Sequence, residues 1–237
     1  DILEAMRNTE GIVMPKGASS PAQETDLDRI IKEQWLDRWG KGIFLVTPEQ
    51  MERTRIQRQI GPFTARLTPH EKKLRKLDWQ GLPVNLNLPF NPNKFNFSRI
   101  KPEEVLINSV PLAGTNWRVI INAAPTELYA ALVIPAQATN QYLHREDVVA
   151  FVEFLSLTGG TLHYNSLWAG ASVNSKHFQL YYSQIYGVEY VIEGAGFDWT
   201  KIGDVAAADL RAYPGHIFTI RSDNSNKLAV ALWLAVN

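Results

Sequence analysis

The stretch Ser166-Leu-Trp-Ala-Gly-Ala-Ser-Val-Asn-Ser-Lys-His-Phe-Gln-Leu-Tyr-Tyr182 sets Ser175, His177 and Gln179 on alternate positions of a strand-like segment. Side chains alternate between the faces of a strand, so a strand over 173–183 puts Val173, Ser175, His177, Gln179 and Tyr181 on one face. Phe178, Leu180 and Tyr182 share the other, which is the better core face. The polar face is turned to solvent or to a ligand, and Lys176 points away from it. A neutral imidazole with a fixed tautomer on such a face is suited to attack phosphorus. An amide two residues away is suited to orient the oxygens of the group under attack.

Outward from this strand, residues 145–157 carry helical apolar spacing at Val148, Val149, Val152 and Leu155. Thr158-Gly-Gly160 ends that helix, glycine being suited to a left-handed cap. Val119–Asn122 reads as a buried strand with Ala131–Pro135 as its partner, and 161–166 as a further strand. Residues 82–100, which alternate Asn with apolar residues between prolines, predict short strands and a turn. Asp26 or Asp28 caps a helix to about Gly40, with Ile30, Ile31, Trp35 and Trp39 near one face and the Trp pair as a packing anchor. The Gly-, Pro- and Ser-rich run before it makes residues 1–27 an irregular arm, and 28–237, with no linker or repeat, one domain. Strands are also expected at 188–192, 216–221 and 228–236. Strands outnumber helices and form adjacent pairs, which indicates an α+β fold with a mainly antiparallel sheet and flanking helices.

The composition narrows the chemistry. With 237 residues, 45% hydrophobic and 20% charged, the chain can bury a sizeable core. Its 24 basic and 24 acidic residues leave no net charge to steer it toward nucleic acid or an anionic membrane. No apolar run approaches the roughly 18 residues of a membrane span. The opening Asp1-Ile-Leu-Glu-Ala-Met lacks a basic region followed by an apolar core, so no signal peptide is expected. There are no cysteines, which removes disulfides and thiolate chemistry and fits a cytoplasmic protein. His70, His144, His163, His177 and His216 include no i, i+4 pair, so no metal site is expected. A phosphate loop, a dinucleotide fingerprint and a Gly-x-Ser-x-Gly elbow are all missing, and no cofactor is expected. Residues 51–80 hold eight Lys or Arg against three Asp or Glu, which reads as a solvated face or as a positive wall near a phosphate-bearing ligand.

Four colinear stretches carry a resemblance to a known family. Tyr164-Asn-Ser-Leu through His177-Phe-Gln-Leu-Tyr-Tyr182 resembles the active-site strand of histidine-triad (HIT-like) nucleotidyltransferases, and in particular of the GDP-hexose (GDP-L-galactose and GDP-D-glucose) phosphorylases. Gln34-Trp-Leu-Asp-Arg-Trp-Gly-Lys-Gly-Ile-Phe44, Asn93-Lys-Phe-Asn-Phe97, and Ile121-Asn-Ala-Ala-Pro125 with Leu132-Val-Ile-Pro135 are similar to that family's helix, loop and strand pair. The resemblance implies that His177 attacks the α-phosphorus of a nucleotide sugar. A nucleotidyl-histidine forms, the sugar 1-phosphate leaves, and phosphate then releases the nucleoside diphosphate. It further implies that Gln179 contacts phosphate oxygens, that Asn165 and Ser172 hold the phosphates, and that Lys94 and Asn96 belong to the substrate loop. A homodimer is compatible with it, although no segment declares an interface.

Two positions depart from the pattern. Ser175 stands where the family has the first histidine of its pair, and Tyr129-Ala130 where it has Gly-His. Serine can donate a hydrogen bond but cannot carry positive charge. Losing one preorganised donor typically costs about 2.7–4 kcal/mol. His163, on the strand face of Asn165, is the candidate replacement for the lost imidazole. Three readings therefore stand: a phosphorylase-like nucleotidyl transfer, a related scaffold recruited to different chemistry, and a catalytically silent nucleotide- or partner-binding domain.

Overall fold

A computed structural model describes residues 24–53, 57–60, 63–66, 85–182, 199–209 and 217–236. In chain order the elements are α1 (Asp26–Gly40), α2 (Pro48–Arg53), β1 (Gln57–Ile60), β2 (Phe63–Arg66), β3 (Val105–Leu112), β4 (Thr115–Ile121) and β5 (Ala131–Pro135). There follow α3 (Arg145–Leu157), β6 (Thr161–His163), β7 (Phe178–Tyr181), β8 (Thr200–Ile202), β9 (Val205–Asp209), β10 (Phe218–Arg221) and α4 (Ser225–Val236). A five-stranded sheet in the order β3-β4-β5-β7-β6 is antiparallel throughout. β8, β9 and β10 form a second sheet, and β1 with β2 a hairpin. The α+β class expected from the sequence is what the chain adopts.

Two helices cover one face of the large sheet. Trp117 of β4 stacks on Phe178 of β7 at 5.2 Å and 11°, and Phe151 of α3 meets Phe178 edge-on at 5.1 Å. From α1, Ile31 and Trp35 are fully buried in the same cluster. Trp35 stacks on Trp39 at 5.2 Å and donates its indole N–H to the Ala130 carbonyl at 3.2 Å, so the Trp pair is a packing anchor. Fully burying one large apolar side chain contributes roughly 1.5–3 kcal/mol. The cap of α1 is Thr25, not Asp26 or Asp28; Asp28 supplies the other half of a capping box. Asp28 also accepts from the Gly159 amide at 2.8 Å, from Tyr182 Oη at 3.0 Å and from the Thr158 hydroxyl. This one buried carboxylate joins the start of α1, the end of α3 and the end of β7.

The structure corrects several expectations. Residues 228–236 belong to helix α4, because Asn224 caps it (Lys227 N to Asn224 Oδ1, 3.1 Å) and its Ala- and Leu-rich run favours a helix. The strand expected over 173–183 is formed only over 178–181, and that over 161–166 only over 161–163. No strand forms among residues 85–100. There Asn85, Asn91 and Asn96 accept from the backbone amide two residues on, at 2.9–3.0 Å, and so turn the chain. α3 ends on Thr158 in an extended conformation, not on a left-handed glycine. Gly160 is required instead for close approach, since a Cβ there would lie 2.7 Å from Leu180 Cδ1 and 2.9 Å from the Tyr181 carbonyl. The expected arm begins outside the described residues, and its last two, Asp26 and Leu27, are already helical. The strand at 188–192 and most of the basic 51–80 segment also lie outside them. Among the described residues no helix is long and apolar enough to cross a membrane.

Candidate active site

The second face of the large sheet holds the candidate residues. Ile120, Leu132, Gln179 and His163 pair in one row across β4, β5, β7 and β6. Phe97, at the end of the Asn93–Phe97 loop, packs on Ile120 and Ile134 of this face. Its ring meets the His177 imidazole edge-on at 5.2 Å.

His177 precedes β7 and is not itself in a ladder. Ser175, Lys176 and His177 are consecutive and buried, at 0%, 2% and 8% exposure, so the chain enters the sheet through its interior and strict alternation fails here. His177 Nδ1 lies 2.8 Å from the Ser175 carbonyl. A carbonyl can only accept, so Nδ1 carries the proton and Nε2 the lone pair. Burial pushes the imidazole below its ordinary value, against the Ser175 hydrogen bond, which raises it. The ring is thus held neutral in one tautomer, as a nitrogen nucleophile requires.

A one-way chain of hydrogen bonds runs beside it. Ala169 O accepts from Asn165 Nδ2 at 3.0 Å, which makes the other Asn165 atom Oδ1, an acceptor. Gln179 Nε2 donates to that oxygen at 3.0 Å, and Tyr181 Oη donates to Gln179 Oε1 at 2.5 Å. One backbone carbonyl therefore sets the polarity of three side chains. An amide nitrogen carries two hydrogens, so Asn165 and Gln179 each keep one for a further acceptor. A nitrogen lone pair on a sheet face that also carries two spare N–H donors suits an electrophile with negatively charged oxygens.

The other candidates separate. Ser175 is sealed, its Oγ accepting from the Phe97 amide at 3.3 Å, so it ties the loop to the histidine segment. Asn96 is 1% exposed and bonds within its own loop (Nδ2 to Lys94 O at 3.0 Å, Oδ1 from Ser98 N at 3.0 Å), so it shapes that loop. Lys94 is exposed on the same loop, and Ser172 is exposed after the left-handed turn at Gly170. His163 faces Gln179 across the ladder, and its ring meets Tyr181 edge-on at 5.0 Å. Lys176 points away, as expected, and forms a buried ion pair with Asp147 of α3. His144 precedes α3, while His70 and His216 lie outside the described residues. At the departure positions, Tyr129 has φ +61°, a conformation that costs a non-glycine residue roughly 1–2 kcal/mol. Its ring packs edge-on against Trp35 at 5.5 Å, and Ala130 beside it is fully buried.

Sequence reasoning missed Gln141, a fully buried side chain bonded to the His177 backbone (His177 N to Gln141 Oε1, 3.0 Å). It lies in a polar loop with no periodicity or motif to single it out. A cleft of about 680 Å³ elsewhere, lined by Lys201, Asp204, Arg221 and Asp223 among others, includes none of these residues.

The buried histidines make stability depend on pH. Unfolded, both His177 and His163 take up protons near 6.5; folded, burial depresses both, and for His163 the charge of Glu127 opposes the shift. Between the two values the unfolded chain binds more protons. The stability they contribute is therefore complete above the unfolded value and lost as pH falls toward the folded ones. Asp28 adds a lower window: burial raises its pKa, but hydrogen bonds from Thr158, Gly159 and Thr25 outweigh that and hold it below 3.8. The urea midpoint is expected to fall between about pH 7 and pH 5, and to fall less in a chain carrying His163→Gln and His177→Gln. Equal slopes in the two proteins would contradict this.

Comparison with known proteins gives a consistent picture. Residues 26–181 match the family described as GDPGP1-like, N-terminal domain. GDP-L-galactose phosphorylase 2 of Arabidopsis thaliana is 28% identical over 189 residues, covering 70% of this chain and 43% of its own length. GDP-D-glucose phosphorylase 1 of Danio rerio is 29% identical over 160 residues, covering 65% and 46%. The human GDP-D-glucose phosphorylase 1 is 28% identical over 188 residues, covering 73% and 48%. The chain thus spans about half the length of the curated relatives it matches. The crystal structure of yeast Ap4A phosphorylase Apa2 in complex with Ap4A has the same fold, with a TM-score of 0.55 and 13% identity over 89% of this chain and 72% of that one. With the family matched across the helix, loop and strands that build the site, the chain belongs to the GDPGP1-like N-terminal domain family, on a histidine-triad-like fold.

Proposed function

We propose that the chain performs nucleotidyl transfer on a nucleoside diphosphate hexose through His177, as a GDP-hexose phosphorylase does, and that residues 28–237 act as one domain. The observation that carries this is the hydrogen bond from His177 Nδ1 to the Ser175 carbonyl, which leaves the Nε2 lone pair for attack. Nε2 bonds to the α-phosphorus, the bond from that phosphorus to the bridging oxygen breaks, and hexose 1-phosphate leaves with the electron pair. An oxygen of inorganic phosphate then attacks the same phosphorus, the P–N bond breaks, and a nucleoside diphosphate departs. Gln179 and Asn165 donate to the non-bridging oxygens, and exposed Lys94 supplies positive charge at the loop. Such transfers depend chiefly on positioning and charge neutralisation. The activities of the relatives support the substrate class. The seating of α4 on α3, through Ala229 with Val148 and Val152, supports the single domain.

A second reading, different chemistry or nucleotide binding alone, is favoured by the two departures. Ser175 and Ala130 both have no exposed surface, so neither lost imidazole is replaced in place. His163, across from Gln179, is the one described imidazole near enough in the sheet to assist.

The readings separate on a panel of GDP-, ADP- and UDP-hexoses, with and without phosphate, assayed for hexose 1-phosphate. Release of at most one equivalent per chain without phosphate, and of many equivalents with it, is expected from a GDP-hexose. Nucleotide binding with no release, or multiple-turnover release indifferent to phosphate, would move the assignment to the second reading.

A further inference from the structure

The β6–β7 ladder runs Thr161–Tyr181, Leu162–Leu180 and His163–Gln179, then stops. One more step of the same register on this face would pair Asn165 with His177, the two residues on which the proposed chemistry depends most. The carboxamide of Gln141 occupies that place instead. Its Oε1 accepts from His177 N at 3.0 Å, and its Nε2 donates to His177 O at 3.3 Å and to Asn165 O at 2.9 Å. Both amide hydrogens are thereby used. A planar side-chain amide offers what a strand's peptide group would offer, but to both segments at once.

Gln141 is itself fixed. Its backbone N–H donates to Asn174 Oδ1 at 2.9 Å, and its carbonyl accepts the Tyr164 hydroxyl. Asn174 in turn donates to the carbonyls of Leu88 at 3.2 Å and Pro89 at 3.0 Å, and the Lys176 amide to Thr139 O at 2.9 Å. The side chain has no exposed surface, so each of its bonds is made without competition from water.

We propose that Gln141 is a positioning residue: its amide splits the ladder between Asn165 and His177, keeps His177 out of the strand, and turns its imidazole onto the Ser175 carbonyl. The effect on rate rests on His177 being the nucleophile; the effect on the ring does not.

Two variants and two readouts test this in the full chain. In Gln141→Met the shape is kept and the three side-chain bonds are lost. In Gln141→Glu the ionised side chain can accept from His177 N but cannot donate, whereas its protonated form both accepts and donates. Imidazole nitrogen NMR is expected to show His177 as the Nδ1–H tautomer in the wild type and as a mixture in both variants near neutral pH, with Gln141→Glu reverting as pH falls. The rate of nucleotidyl adduct formation with a GDP-hexose is expected to fall about 100-fold in both, the size of effect that follows misplacement of a reacting group by about 1 Å. Ligand affinity is expected to stay within a few-fold. A folded variant with the wild-type tautomer and rate would overturn the proposal, as would an adduct rate that falls only with the folded fraction. If the wild type forms no adduct with any nucleotide sugar, the nucleophile reading fails, and the tautomer measurement still decides the role of Gln141.

Discussion

Lys176→Ala is expected to destabilise the folded chain by about 3–5 kcal/mol, the usual consequence of leaving one member of a buried ion pair alone. Lys176 is 2% exposed and Asp147 13%, and the two side chains are in direct contact. Burial alone lowers the Lys176 pKa, and hydrogen bonding and charge from Asp147 oppose that shift. Asp147 also accepts the His144 amide at 2.7 Å at the start of α3, so the pair fastens that helix to the segment carrying His177. A double variant, Lys176→Met with Asp147→Asn, keeps the acceptor for His144 and removes both charges. It is expected to recover most of the loss in urea denaturation. A single Lys176→Ala variant within 1 kcal/mol of wild type, on the scale set by buried pairs, would show that the pair carries little.

His177→Ala is expected to lower turnover of a GDP-hexose by about four to six orders of magnitude, as removal of a covalent nucleophile does elsewhere. Affinity for the nucleotide is expected to change little, because Asn165 and Gln179 keep their donors through the hydrogen bonds anchored on Ala169. Stopped-assay rates with an equilibrium binding measurement check both halves. A large loss of affinity with an unchanged maximal rate would assign His177 to binding.

The sequence made α1 and α3 legible by their helical period, as with Ile31 and Trp35 on one face, and the β4–β5 pair by short β-branched apolar runs such as Val119–Ile121. The apolar spacing gives α3 its bounds, although the helix ends on extended Thr158 and not on a left-handed glycine. Leu228–Val236 is apolar at every position, so no period separates strand from helix there, and only the Asn224 cap signals helix α4. At the site, the motif makes His177, Gln179 and Asn165 visible; in the structure Gln179 bonds to Asn165, and the backbones of Asn165 and His177 are joined through Gln141. Ser175 was misjudged as a facing side chain, because alternation was carried across a segment that is not a strand. Asn96 is named with the substrate loop, and in the structure its amide serves that loop from within. Gln141 was invisible, since its role comes from three backbone contacts distant in sequence, which no local pattern records.

The central claim is that His177 Nε2 becomes covalently nucleotidylated. Intact mass of the wild-type chain, incubated with a GDP-hexose in the absence of phosphate, measures this directly. A mass increase of one guanylyl group is expected, located on His177 by fragmentation, absent in His177→Ala and discharged by adding phosphate. Turnover that persists in His177→Ala, or proceeds in the wild type with no adduct on His177, would contradict it.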